Sequence, residues 1–264
     1  MAEAGAVLEH VGSTDGTPIG YRRSGAGPPL VLVHATTGAH WSFNLLLPGL
    51  VDRFTVYAID RRGRGESGDG PEYSIEREFE DVAAVVDSIA EPASVFGHSS
   101  GATVSLGAGL VARNLHRLVL YEPSPGIAAV PPEDLARIDA LVARGEREEA
   151  MVFALGAFGL TPDEIGQIRA LPTWQARVEA AHTVTREVRA EESYTVDPGR
   201  FRDLVTPVLL LLGEKSPGWA GDGTERLRSA LPNAQVGILE GQGHAATMTA
   251  PELVAGEIGR FLRD

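Results

Sequence analysis

Gly97-His98-Ser99-Ser100-Gly101 fits the pattern G-x-S-x-G. An apolar run, Ala93-Ser94-Val95-Phe96, precedes it, and a helical pattern over Thr103–Ala112 follows. Small residues around a serine let a chain leave a strand, turn sharply and enter a helix with the hydroxyl at the apex. The helix N-terminus then faces the reacting atoms, where it favours developing negative charge. The chemistry this suits is acyl transfer, in which the Ser99 hydroxyl attacks a carbonyl. A serine hydroxyl is a weak nucleophile until an imidazole takes its proton. The chain has seven histidines from which that base can come.

A serine so placed needs a sheet beneath it. Val7–Val11 alternates, Asp15-Gly16-Thr17-Pro18 is turn chemistry, and Ile19–Arg23 resumes the strand, predicting an antiparallel hairpin. Six nearly continuous apolar runs follow: Pro29–His34, Phe54–Asp60, Ala93–Gly97, Leu118–Glu122, Val208–Gly213 and Ala234–Leu239. Such runs suit strands buried on both faces of a parallel sheet. Phe79, Val82, Val85, Val86 and Ile89 recur at helical spacing within Ile75–Ile89, and Pro251–Leu262 is similar. Strands alternating with helices predict an α/β fold with a mostly parallel, doubly wound sheet. Between the fourth and fifth buried runs the alternation stops. Glu133–Arg144, Glu146–Phe158, Pro162–Ala170 and Trp174–Ala190 read as helices there, with prolines between them. Residues 1–124 and 206–264 are expected to form the two parts of a core, and residues 125–205 a helical insertion.

In these features the chain resembles the α/β-hydrolase superfamily over nearly its whole length. The resemblance rests on the elbow around Ser99, on the helical insertion and on Gly241-Gln242-Gly243-His244. It also rests on Asp60-Arg61-Arg62-Gly63-Arg64-Gly65-Glu66-Ser67, which is similar to the family's D-x-R-G-x-G-x-S loop. It implies a serine hydrolase core with a helical cap and no required cofactor. The superfamily's chain order is Ser, acid, His, which points to His244 as the base.

The acid departs from the commonest pattern. An Asp is usual a few residues beyond the strand Val208–Leu212, but Ser216 stands there. Serine cannot hold an imidazolium by charge. A minority of the superfamily, including some haloalkane dehalogenases and lactone hydrolases, takes the acid from the end of the strand after the nucleophile helix. Here that strand ends Tyr121-Glu122-Pro123, so Glu122 is the expected acid, with Glu214 and Asp222 as alternatives. A carboxylate ending a buried strand needs a partner, and an imidazole N–H would supply one.

The expected oxyanion hole is the amides of Ser100 and Thr36. Thr36 lies in His34-Ala35-Thr36-Thr37-Gly38, which is similar to the family's H-G-x loop with Ala35 in place of glycine. A Thr hydroxyl of this loop offers a third donor, and His34 is expected to fix the loop. Trp41 and Phe43, just past that loop, and Phe158 and Trp174, from the insertion, are the expected substrate-binding residues.

Composition narrows the function classes. With 23 basic and 36 acidic residues the net charge is −13. That argues against nucleic acid, which needs basic patches, and against anionic lipid. No run of about 18 apolar residues marks a membrane span. The first 15 residues hold three acids and no Lys or Arg, so no secretory signal is expected. There is no Cys, hence no disulfide, thiolate nucleophile or Cys-bound metal. The histidines lack metal spacing, and no dinucleotide fingerprint or phosphate loop occurs. A cytoplasmic location is expected, as is a largely apolar small-molecule substrate; a homo-oligomer is compatible. The reading is cleavage of a carboxylic ester or lactone through an acyl-enzyme on Ser99. The resemblance implies that dehalogenase and epoxide hydrolase chemistry is excluded, because those relatives need an Asp where Ser99 stands. C–C bond hydrolysis, perhydrolysis and thioester hydrolysis stay open. The missing Asp also motivates a rival: a ligand-binding protein that kept the fold without turnover.

Overall fold

Strand β3 (Pro29–Val33) is buried at all five positions, as its unbroken apolar run requires. The computed structural model describes residues 5–123, 125–127, 130–195 and 197–263. Around β3 lie β1 (Val7–Gly12), β2 (Pro18–Gly25), β4 (Thr55–Ile59), β5 (Ala93–His98), β6 (Leu115–Tyr121), β7 (Val208–Gly213) and β8 (Ala234–Leu239). The eight strands form one sheet in the order β1-β2-β4-β3-β5-β6-β7-β8. The expected hairpin pairs Gly12 with Pro18. The β1–β2 and β2–β4 pairs are antiparallel, and every other pair is parallel. From β3 the sheet grows to one side through β4 and to the other through β5. That reversal is a topological switch point, and ligands of such sheets bind outside the carboxyl ends of the strands there.

Helices cover both faces. On one, α1 (Ile75–Ser88) lies against α2 (Ser100–Ala108), which is buried at every position. Their close approach depends on Gly107, where an added Cβ would meet the Phe79 ring at 2.3 Å. The other face packs Val254, Ala255 and Ile258 of α11 (Pro251–Phe261) against Leu32, Phe96 and Val119. Between β6 and β7 come α3 (Pro132–Ala143), α4 (Arg147–Ala157), α5 (Pro162–Arg169), α6 (Trp174–Glu179), α7 (Val184–Ser193) and α8 (Pro198–Phe201). Helices α3 to α7 share a core of their own, built on residues such as Ile138, Met151, Leu155 and Val184. After β7 come α9 (Gly218–Ala230) and, after β8, α10 (Ala246–Thr249).

Four local expectations differ from the structure: β8, expected as a strand buried on both faces, is an edge strand with Val236 and Ile238 exposed. The single helix expected over Trp174–Ala190 is interrupted by a 3-10 turn at Ala180–Thr183. The Thr183 hydroxyl donates back to the Ala180 carbonyl at 3.0 Å, and two more β-branched residues follow it. Helix α2 starts at Ser100, directly after the turn, and ends at Ala108. Helix α9 was not expected, because Gly218, Gly221 and Gly223 dilute its periodicity.

Buried ion pairs fix the loop after β4. Arg61 grips Glu78 of α1 with two hydrogen bonds of 2.6 and 2.7 Å, and Arg62 grips Asp81 with two of 2.7 Å. Arg61 also lies 3.1 Å from Glu187 of α7, which pairs with Arg64 as well. Removing one partner of a buried pair strands the other charge, at a cost of about 3–5 kcal/mol. Glu78→Gln should therefore lower the unfolding free energy by an amount in that range, read in urea as a lower midpoint with an unchanged slope. A shift below about 1 kcal/mol would show that Glu187 alone compensates Arg61.

Candidate active site

The turn after β5 places Ser99 at φ 56° and ψ −126°, a left-handed conformation rare for a residue with a side chain. Its neighbours make the conformation sustainable. The Ser99 N–H donates to the Tyr121 carbonyl at 2.8 Å. Gly101 lets α2 sit on the end of β3: a Cβ there would lie 2.4 Å from the carbonyl oxygens of both Val33 and His34. The result is a hydroxyl projecting at the sheet's carboxyl edge, beside the helix N-terminus.

His244 follows β8 and meets that hydroxyl. Its Nε2 stands 3.1 Å from Ser99 Oγ, and its Nδ1 hydrogen-bonds Glu122 Oε2. With Nδ1 carrying the proton, Nε2 is free to accept from the serine. Glu122, fully buried just after β6, is also left-handed, with φ 51°. Its N–H donates to the Leu211 carbonyl at 3.1 Å. Its second carboxylate oxygen accepts from the Gly213 N–H at 2.7 Å and from the Ser216 hydroxyl at 2.5 Å. Ser216, the residue in place of the usual Asp, thus serves the carboxylate that replaces it. The alternative acids lie elsewhere: Glu214 is exposed and accepts the Gly241 N–H, and Asp222 is exposed on α9.

Three residues that sequence reasoning did not assign hold His244. The His98 ring hydrogen-bonds the His244 carbonyl through Nε2 at 3.0 Å and stacks on Tyr121 with centroids 4.9 Å apart. The Tyr121 hydroxyl donates to the Gly243 carbonyl. Trp219 of α9 stands edge-on to the His244 ring at 4.9 Å. His98 had one sequence signal, its place before Ser99 in the elbow. Burial, reinforced by His244, pushes its pKa down to about 3.

The amides expected to form the oxyanion hole are both open. Ser100 is the first residue of α2, so its N–H has no partner within the helix. No acceptor among the described residues takes the Thr36 N–H. The Thr36 hydroxyl is not a third donor: it donates to Ser100 Oγ at 2.8 Å, which also accepts from Arg61 at 2.9 Å. Arg64 donates to the Thr36 and Gly38 carbonyls, the latter at 3.2 Å. His34 fixes the loop. Its Nε2 accepts the Arg61 N–H at 3.0 Å, and its Nδ1 lies 2.8 Å from the Ala35 carbonyl. Burial, with Arg64 and Arg61 nearby, lowers its pKa well below the usual histidine value.

The aromatic residues divide. Trp41 stands beside the Thr36 loop with the Arg177 guanidinium 4.8 Å from its ring. Phe43 is 1 % exposed and packs edge-on against Phe96 in the core, so the expected pocket residue is a packing residue. Phe158 and Trp174 lie against the insertion's own core, where the Trp174 indole N–H donates to Glu148 at 3.3 Å.

Two outcomes follow from this geometry. Ser216→Ala removes one hydrogen bond to a charged group, about 1.5 kcal/mol, and should slow acylation of Ser99 about tenfold. Glu122→Gln should slow it by about 10⁴-fold, as loss of the orienting carboxylate does elsewhere. Burst kinetics with an activated ester measures both, and equal losses would contradict the assigned roles. His98 binds its proton near pH 3 when folded and near pH 6.5 when unfolded. Its contribution to stability is therefore full above about pH 6.5 and falls by about 1.4 kcal/mol per unit as pH drops toward 3. His98→Asn should flatten the stability–pH curve by that slope in urea titrations between pH 6.5 and 4.

Comparison with known proteins identifies the family. A family model described as the alpha/beta hydrolase family matches residues 30–257. The chain is 28% identical over 261 residues to a 2-(acetamidomethylene)succinate hydrolase of Mesorhizobium japonicum, covering 91% of this chain and 90% of that one. It is 29% identical to a pimeloyl-[acyl-carrier protein] methyl ester esterase of Methylococcus capsulatus, over 90% and 96% of the two chains. The crystal structure of an alpha/beta hydrolase from Sphaerobacter thermophilus superposes with a TM-score of 0.84 at 37% identity, over 96% of this chain and all of that one. The chain belongs to the alpha/beta hydrolase family.

Proposed function

We propose that this protein is a serine hydrolase that cleaves a carboxylic ester or lactone of a small molecule through an acyl-enzyme on Ser99. The observation that carries the reading is the run of contacts from buried Glu122 through His244 to Ser99, 3.1 Å from the imidazole. Ser99 Oγ attacks the carbonyl carbon as His244 Nε2 takes its proton. Glu122 holds the resulting imidazolium in place. The Ser100 and Thr36 amides receive the oxyanion. As the tetrahedral intermediate collapses, the C–O bond to the leaving alkoxide breaks and His244 returns the proton to it. Water, deprotonated by His244, then attacks the acyl carbon; a second collapse releases the acid and restores Ser99. Helices between β6 and β7 cap the site in this reading. Relatives named as a methyl ester esterase and a hydrolase support it. Glu122 also supplies the carboxylate whose apparent lack motivated the ligand-binding alternative. Among the described residues no helix is long and apolar enough to cross a membrane.

The test is turnover of p-nitrophenyl esters of increasing acyl length and of small lactones, by wild type and Ser99→Ala. Wild type should hydrolyse members of these sets and should gain the mass of a fluorophosphonate adduct on Ser99. Ser99→Ala should lose at least about 10³-fold in kcat and resist labelling. Full activity in Ser99→Ala would overturn the acyl-enzyme. An unlabelled and inactive wild type would favour the binding protein.

A further inference from the structure

Arg177 is a buried cation that the mechanism leaves unused. It comes from α6 and is 7 % exposed. Its Nη1 donates to the Thr37 carbonyl at 2.7 Å and to the Thr37 hydroxyl at 2.6 Å. The guanidinium faces the Trp41 ring, 4.8 Å from its centroid. Neither Nε nor Nη2 donates to any described residue, and Nε is fully buried. No described Asp or Glu pairs with Arg177, whereas buried Arg61, Arg62 and Arg64 each hold at least one carboxylate. Burial alone lowers its pKa, to about 10.

A buried charge without a counter-charge is costly, and folds rarely keep one. Holding the Thr37 loop does not explain it, since Nη1 does that and a neutral donor would suffice. What is left over is the Nε–Nη2 edge of the fork. Arg61 uses that same edge to hold Glu78, and Arg62 uses it to hold Asp81. The edge suits two parallel bonds to a carboxylate. Its place is equally specific. Thr37 follows Thr36, whose amide is the expected oxyanion donor, and consecutive Cα atoms are about 3.8 Å apart.

We infer that Arg177 is a specificity determinant that pairs with a carboxylate on the substrate, a few bonds from the scissile carbonyl, with Trp41 beside the intervening chain. This rests on the serine hydrolase reading and narrows its substrate class to anionic, carboxylate-bearing esters or lactones.

Matched substrates test it. Mono-p-nitrophenyl esters of glutarate through suberate differ from the pentanoate through octanoate esters only in a terminal carboxylate in place of a methyl group. Wild type should favour the carboxylate member of at least one pair by about tenfold or more in kcat/KM, chiefly through KM. Arg177→Met should abolish that preference and Arg177→Lys should restore part of it. Free glutarate to suberate should slow fluorophosphonate labelling of Ser99 in wild type but not in Arg177→Met, a readout that needs no turnover. The inference is overturned if wild type shows neither preference nor protection. It is also overturned if Arg177→Met lowers both members of each pair alike, as a pure loop-holding role would. Failure of the hydrolase reading looks different: neither series is turned over and Ser99 is not labelled, and the inference falls with it.

Discussion

A carboxylate without access to water has to find its hydrogen bonds inside the protein, and Glu122 sets that requirement at the centre of this molecule. It stands at the end of β6, fully buried, in a backbone conformation that side chains seldom adopt. Every group that answers it comes from a different part of the chain. Gly213 ends β7, Ser216 lies in the loop beyond, and His244 follows β8. Satisfying one side chain therefore brings the carboxyl ends of three neighbouring strands into register. Ser99 joins the group through the fourth, because its N–H is bound to the carbonyl of the residue just before Glu122. Two adjacent strands are thus each followed by a residue of positive φ, Ser99 after β5 and Glu122 after β6.

The second buried charge system lies on the other side of the elbow. Arg61 and Arg64 leave the loop after β4 and reach the loop after β3, α1 and α7. Their hydrogen bonds to Thr36, Gly38 and Ser100 keep carbonyls and hydroxyls occupied. The two amides on which a negative oxygen would rest stay free. Preorganised donors of this kind need not rearrange when charge appears, which is where their advantage over water lies.

Much of this was legible in the residues. Strands β3 to β7 are largely buried as their unbroken apolar runs require, whereas the equally apolar run of β8 forms an exposed edge, and the candidate serine and histidine lie in small-residue turns between strand and helix. Glu122 could be named because Ser216 cannot carry charge and because a carboxylate ending a buried strand has few explanations. What remained hidden has a common cause. Trp219, Tyr121 and His98 contact His244 across long separations in the chain, and no local pattern records such contacts. Glycine-diluted α9 hid its periodicity. The break before α7 is set by a threonine that bonds both its own turn and a distant arginine. Phe43 misled because an aromatic residue near a catalytic loop looks alike whether it faces a pocket or Phe96.

The tie between Arg61, Arg64 and Glu187 bears on how a substrate could reach Ser99. Glu187 and Thr183 root the α7 end of the helical insertion in the same charge cluster that shapes the oxyanion loop. No ion pair joins α3, α4 or α5 to the sheet among the described residues. The insertion is thus pinned at its α7 end by buried charge. Swinging from the α7 side would first break that pin and disturb the amides beneath it. Arg189 and Thr185 of α7 bond Asp139 of α3, and α3 to α7 share one core, so this one pin holds the whole insertion to the loop after β4.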